Sequence, residues 1–136
     1  MIFLKLIRKS YIIVGFLLLG MLPVFSQQSN TLTPADSSFT MKVSREKGEI
    51  FISLSFAPTF VFDYVAVERR SDIDQSYTQC KYIDFAEVIK NQRHLVKKDN
   101  YPYPGASPVL YRLKVVAKDG TERAYPPLLL PSVKQN

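Results

Sequence analysis

The chain has no tryptophan, a single cysteine (Cys80) and a single histidine (His94). One cysteine excludes an internal disulfide, even in an oxidising compartment. One histidine excludes metal sites built on paired imidazoles and any relay that needs two of them. Gly-rich phosphate loops, nucleophile elbows and zinc-type Cys/His spacings are also missing. No residue pattern therefore implies a cofactor or a metal. The apolar run Ile12 to Leu22 has eleven residues, short of the roughly 18 that a membrane-spanning helix requires.

That run fits another use. Lys5, Arg8 and Lys9 precede it, and Val24 and Ser26 place small residues three and one positions before Gln27. A basic start, a short apolar middle and small residues before a cut are the parts of an export signal over residues 1–26. Its removal leaves 110 residues, enough for one domain with one core. The segment holds three of the 18 basic residues and none of the 12 acidic ones, so the formal charge of +6 falls to +3. Such a balance is ordinary for a soluble domain and carries no nucleic-acid footprint. No cysteine stands at the cut to take a lipid. The mature chain is expected to have no transmembrane span and to reside in the periplasm, on the outer surface or outside the cell.

Residues 27–38 are polar, with Pro34, and read as a flexible lead-in. Beyond them, from 39 to 132, period-two alternation dominates. Ile50, Ile52, Leu54 and Phe56 share one face of a strand, with Glu49, Phe51, Ser53 and Ser55 on the other. Asp63 to Arg69 repeats this, with Val65 and Val67 opposite Tyr64, Ala66 and Glu68. In Val109 to Lys118, the residues Val109, Tyr111, Leu113, Val115 and Ala117 oppose Arg112, Lys114 and Lys118. Asp119-Gly120 then reads as a tight turn in which both residues tolerate positive φ, returning the chain through Thr121 to Leu130. Pro126 and Pro127 cannot donate ladder hydrogen bonds, so that strand belongs at an edge or contains a bulge. Shorter strands are expected at Phe39–Arg45, Tyr77–Ile83 and His94–Lys98. Asp84 followed by Glu87 three residues later is a capping-box pattern for one short helix ending near Arg93, with Phe85, Val88 and Ile89 toward the core. About seven strands and one short helix make an all-β sandwich.

Between Ile52 and Leu130 the sequence resembles a fibronectin type III-like module. The variety is that of secreted and surface proteins of certain Gram-negative bacteria. The resemblance rests on Asp63-Tyr64-Val65-Ala66-Val67-Glu68-Arg69, on the loop with Asp99, Pro102, Pro104 and Gly105, and on Tyr111-Arg112-Leu113-Lys114 followed by Asp119-Gly120. It implies a single immunoglobulin/fibronectin III-like sandwich, and it places Cys80 where the family carries an apolar core residue. The chain departs from the family in having Leu54 where a tryptophan is common. It also has an apolar corner, Phe60-Val61-Phe62, in place of a polar loop. Tyr111, on the core face just after the Pro-Gly loop, is expected to bury its ring and bond a nearby backbone group through its hydroxyl, a tyrosine corner.

Few residues are left for chemistry. A Cys80–His94 nucleophilic pair needs hydrogen-bond reach and a lowered thiol pKa; the alternative is a buried structural cysteine. Asp72 and Asp74 read either as Ca²⁺ ligands or as ordinary turn residues. Tyr101 and Tyr103, on a proline-stiffened loop, either present rings to a partner or fold back over the core. Phe60 and Phe62 either dock a partner or pack inward. Arg70, Arg112, Lys114 and Lys118, interspersed with Glu68, read as a solvated sheet face. The function expected on these grounds is non-enzymatic: an exported sandwich that binds another extracytoplasmic protein through the Tyr101–Tyr103 loop or its strand edges. Glycan binding by that loop is the alternative.

Overall fold

Alternating side chains with a branched or aromatic residue at every second position favour strands that bury one face. The computed structural model, which describes residues 28–71, 74–100 and 108–132, forms a strand at each expected stretch. In chain order the elements are β1 (Gln28–Leu32), β2 (Phe39–Glu46), β3 (Glu49–Phe56), β4 (Tyr64–Ser71), β5 (Thr78–Asp84), helix α1 (Phe85–Lys90), β6 (His94–Asp99), β7 (Val109–Val116), β8 (Glu122–Ala124) and β9 (Leu128–Leu130). Antiparallel pairing builds two sheets, β1-β2-β3-β6 and β5-β4-β7-β8, with β9 also on β7. The result is an immunoglobulin/fibronectin III-like sandwich. Leu54, Val65, Val67, Leu113 and Val115 are all buried between the sheets, as their alternation predicts.

The two prolines act as expected. β8 and β9 lie along the same edge of β7, opposite Lys114–Val116 and Val109–Tyr111, and Tyr125–Pro127 separates them. Counted as one interrupted edge strand, they complete the seven expected strands, and β1 is an addition. Gln28–Leu32 is thus not a flexible lead-in. Its backbone pairs with β2 over five residues, from Gln28 opposite Arg45 to Leu32 opposite Met41. Ladder hydrogen bonds do not require apolar side chains, which is why composition misplaced this segment. Its polar side chains also bridge to the other sheet: Asn30 Nδ2 donates to the Leu129 carbonyl (3.0 Å) and Gln28 Nε2 to that of Ser132 (3.2 Å).

The turns differ from expectation in one detail. Asp119 does not adopt positive φ; Gly120 does (φ 86°). Gly120 N–H donates to the Ala117 carbonyl and Ala117 N–H to that of Thr121, both at 2.9 Å, making a bulged hairpin with glycine in the left-handed position. Asp119 Oδ1 instead accepts from Thr121 N–H at 2.9 Å. The two-residue turn with both φ positive occurs between β2 and β3, at Lys47 (φ 50°) and Gly48 (φ 79°).

The N-cap half of the capping box forms: Asp84 Oδ1 accepts from Glu87 N–H at 2.8 Å, while the Glu87 carboxylate pairs with Lys97 instead of reaching back to Asp84. The helix stops at Lys90 rather than near Arg93, because Gln92 (φ 56°) and Arg93 (φ 64°) turn left-handed. Phe85 and Val88 reach the core, but Ile89 is 48% exposed. A helix of six residues packs on the sandwich along too narrow a stripe to bury a third apolar side chain.

Candidate functional site

Among the residues singled out from sequence, Tyr111 belongs to the interior and Cys80 is half-buried against it. Tyr111 does not form a tyrosine corner with backbone. Its hydroxyl donates to Asp99 Oδ2 at 2.8 Å, and Asp99 Oδ1 accepts from Arg69 Nη1 at 2.6 Å. Arg69 and Tyr111 are direct cross-strand partners on β4 and β7, whereas Asp99 ends β6 in the opposite sheet. The carboxylate therefore ties the two sheets together. Burial raises the Tyr111 hydroxyl pKa far above the ordinary range, and the Asp99 charge adds to the shift.

Cys80 occupies a bulge in β5, where the pairing with β4 slips between Val67 and Glu68. Its Sγ donates to the Val67 carbonyl at 3.2 Å. Burial first, then the Asp99 charge, pushes the thiol up to about 11. His94 starts β6 and Asp99 ends it, roughly 17 Å apart at the rise of a strand. Cys80 feels Asp99, while His94 Nδ1 lies 2.8 Å from Ser55 Oγ at the other end. The structure does not bring the two together as a nucleophilic pair.

Phe60 and Phe62 pack inward. Phe62 is 1% exposed, and a ring cluster of Phe56, Phe60, Phe62 and Phe85 has neighbouring centroids 5.0–6.3 Å apart. Arg93 clamps this corner, donating from Nη1 to the carbonyls of Ala57 (2.9 Å) and Phe60 (3.0 Å) beside the Phe85 ring. Phe62 therefore offers no docking surface, and Phe60 is half-buried against the same cluster. Asp74 is a turn residue: its Oδ2 accepts from the Ser71 N–H (3.1 Å) and Oγ (2.8 Å), which holds its carboxyl below the usual range. Among the described residues no group of three or more His, Cys, Asp or Glu could hold a metal. Tyr101, Tyr103 and Asp72 lie outside the described residues.

Most of the sheet edges carry a device that discourages strand addition. β5 carries the bulge at Cys80. β6 carries Lys98 and Lys97, and Lys97 ion-pairs with Glu87 of α1. β1 and β9 are cross-braced by Asn30 and Gln28. β8 has three residues and is followed by Pro126 and Pro127.

What remains exposed and chemically distinctive is the outer face of the β5-β4-β7-β8 sheet. Alternation places Tyr64, Ala66, Glu68 and Arg70 of β4 there, beside Leu110, Arg112 and Lys114 of β7. Tyr82 of β5 is 55% exposed and its ring lies 4.8 Å from that of Tyr64, tilted by 33°. Toward the other end of β4, the Arg112 guanidinium sits 3.9 Å from the Tyr77 ring centroid and that of Arg70 sits 5.6 Å away. Glu68, 8% exposed, accepts from Arg112 Nε at 2.6 Å and pairs with Lys114 Nζ at 3.4 Å. Glu68 does intersperse the cations, as the sequence suggests. Lys118 is not part of this face; it is exposed in the β7–β8 turn. The face opposite, on β2, β3 and β6, is mostly serine, threonine and lysine.

No protein-family model matches the chain, and no curated protein matches it. Among solved structures it is similar to the "Twitchin kinase region from C.elegans (Fn31-NL-kin-CRD-Ig26)", with 14% sequence identity and a TM-score of 0.40 over 64% of this chain. The chain spans 15% of that protein's length.

Sequence reasoning missed two groups. Tyr64 was legible on the outer face of β4, but Tyr82 was not its neighbour until the bulge at Cys80 set the register of β5. Arg69 and Asp99 carried no local signal, since a charged residue at the end of a strand reads as solvated until the opposite sheet covers it.

Proposed function

We propose that this chain is an exported, non-enzymatic binding module whose partner is another extracytoplasmic protein at the cell envelope. The observation that carries this reading is the Tyr64/Tyr82 pair, of which Tyr82 is exposed, and the Arg70–Tyr77–Arg112 stack on one sheet face. Tyrosine and arginine are the side chains that concentrate binding energy in protein interfaces, because they combine apolar area with hydrogen-bonding ends. The guarded edges favour a face over strand addition. The basic, apolar and small-residue order of the first 26 residues supports export, and among the described residues no helix is long and apolar enough to cross a membrane. In-cell photocrosslinking from position 82, with fractionation of the tagged full chain, tests the reading. Capture of one envelope protein, lost on competition with untagged chain, is the expected result. Absence of any crosslinked protein from position 82 and from positions on the other surfaces overturns it.

A further inference from the structure

We propose that the outer face of the β5-β4-β7-β8 sheet receives a protein surface that is acidic at one end and apolar at the other. This rests on the protein-binding reading above and adds the chemistry of the partner.

The face is polar in the sense of having two unlike ends. Tyr64 and Arg70 are six residues apart on β4, roughly 20 Å at the rise of a strand. At the Tyr64 end the side chains offer aromatic area: Tyr82 is more than half exposed and Tyr64 stacks beside it. At the Arg70 end two guanidiniums share one ring, that of Tyr77. Three cations, Arg70, Arg112 and Lys114, stand on the face between β4 and β7, with Glu68 as the carboxylate among them. Glu68 is already engaged by Arg112 and Lys114. Glu122, at the β8 rim, lies 4.0 Å from Lys114 and on the far side from Arg70. Among the described residues, Arg70 forms no ion pair with a carboxylate.

Two like charges against a single ring repel each other unless an anion joins them. Glu68 does this for Arg112, and among the described residues Arg70 has no equivalent. A carboxylate supplied by a partner completes the pattern. The Tyr77 ring holds both guanidiniums in place beforehand, so less side-chain freedom is lost when the anion arrives. Charge complementarity at this end sets orientation and speeds encounter, while the Tyr64/Tyr82 end supplies desolvated area. An acidic sugar polymer offers carboxylates too. The protein is favoured because the aromatic and cationic ends are separated rather than interleaved, which suits a surface with distinct apolar and acidic patches.

The test uses two pools of synthetic peptides, each of about 12 residues, enough to span both ends of the face. One pool mixes Asp and Glu with Leu and Tyr; the other replaces the acids with Lys and Arg. Each is titrated into the full-length protein, purified after expression, and followed by amide chemical shifts. The acidic pool is expected to move amides of β4, β5 and β7 around Tyr77 and Tyr82, and the basic pool to leave them in place. Arg70→Glu should weaken the acidic response about tenfold, and Tyr82→Ala should weaken it less steeply with salt. Lys42→Glu, which changes net charge equally on the opposite sheet, should not weaken it. Retained dispersion of the amide spectrum checks folding, and Arg70→Lys should keep part of the affinity. Equal responses to both pools, shifts confined to the other sheet, or no response to the acidic pool each overturn the proposal. So does an oligouronate that moves these amides when the acidic peptides do not. A partner crosslinked from Ser53 on the opposite sheet, but not from position 82, overturns this inference while leaving the protein-binding reading intact.

Discussion

Two charged networks lie one residue apart in this molecule and on opposite faces of one sheet. Arg69 and Glu68 are neighbours on β4, as are Tyr111 and Arg112 on β7. Arg69 and Tyr111 turn inward to Asp99, whose side chain is 2% exposed. Glu68 and Arg112 turn outward, beside Lys114 and Tyr77. The inner network joins two sheets around a buried carboxylate. The outer network joins strands already paired by backbone hydrogen bonds, and although Glu68 is covered, its cations Arg112 and Lys114 are partly exposed. Similar chemistry therefore does different work. Inside, it holds the sandwich; outside, it leaves a surface organised for contact.

The comparison can be broken most directly at Asp99. Asp99→Ala leaves the buried Tyr111 hydroxyl without its acceptor and takes one partner from the half-buried Arg69 guanidinium, and should lower stability by about 3 kcal/mol or more in urea denaturation. A loss under about 1 kcal/mol would mean that the inner network is no more structural than the outer one. Leu113→Ala, between Tyr111 and Lys114 on the same strand, calibrates the interior without touching charge. It should cost about 2–5 kcal/mol, and a smaller loss would mean the strand faces the other way. Tyr111→Phe keeps the ring and removes one donor to a carboxylate, for an expected loss of about 1.5–3 kcal/mol.

Glu68→Gln sharpens the contrast from the other side. Its carboxylate is covered, but the Arg112 and Lys114 side chains that hold it are partly exposed, so the expected change is smaller than at Asp99, about 1 kcal/mol, and it should shrink as salt is raised. At neutral pH the smallest effect on stability is expected at Cys80. The folded thiol is raised from 9.0 to about 11, so the native state keeps its proton where the unfolded chain begins to lose it. The sign follows: this contribution is complete below pH 9 and declines as pH rises toward 11. Iodoacetamide at pH 8 should modify native Cys80 about a hundredfold more slowly than a free thiol. Rapid modification would place Cys80 outside the interior.

Much of the fold was legible because alternation is a local property. Ile50 to Phe56 and Val109 to Val115 announce their buried faces residue by residue, and Asp84 with Glu87 announces the start of a helix. Pro126 and Pro127 mark an edge because the missing N–H is a property of the residue itself. The misreadings share a cause. β1 looked like a tail because Gln28, Ser29 and Asn30 carry no apolar signal, yet backbone pairing with β2 needs none. Ile89 looked buried because helical spacing does not say where the helix ends. Phe60-Val61-Phe62 was ambiguous because a loop has no period, and only Arg93, more than 30 residues later, closes it over the core.

The candidate site was less legible still. Tyr64, Glu68, Arg70 and Arg112 could be assigned to outer faces from alternation. Their meeting required the β4–β7 register, and Tyr82 and Tyr77 required the bulge at Cys80.

By itself the sequence determined which residues are apolar at period two, where the helix begins, which turn takes glycine and which strand cannot sit in a sheet centre. These follow from steric and hydrogen-bonding properties that act within a few residues. Only the tertiary structure decided that Asp99 ties two sheets from within and Glu68 ties two strands from the outer face, and that Cys80 and His94 stay apart. It also decided that three tyrosines and two arginines from three segments share a face. Those outcomes depend on which strand lies beside which, and on what covers each side chain. That is set by packing the whole chain into two sheets and is not written in any short stretch of it.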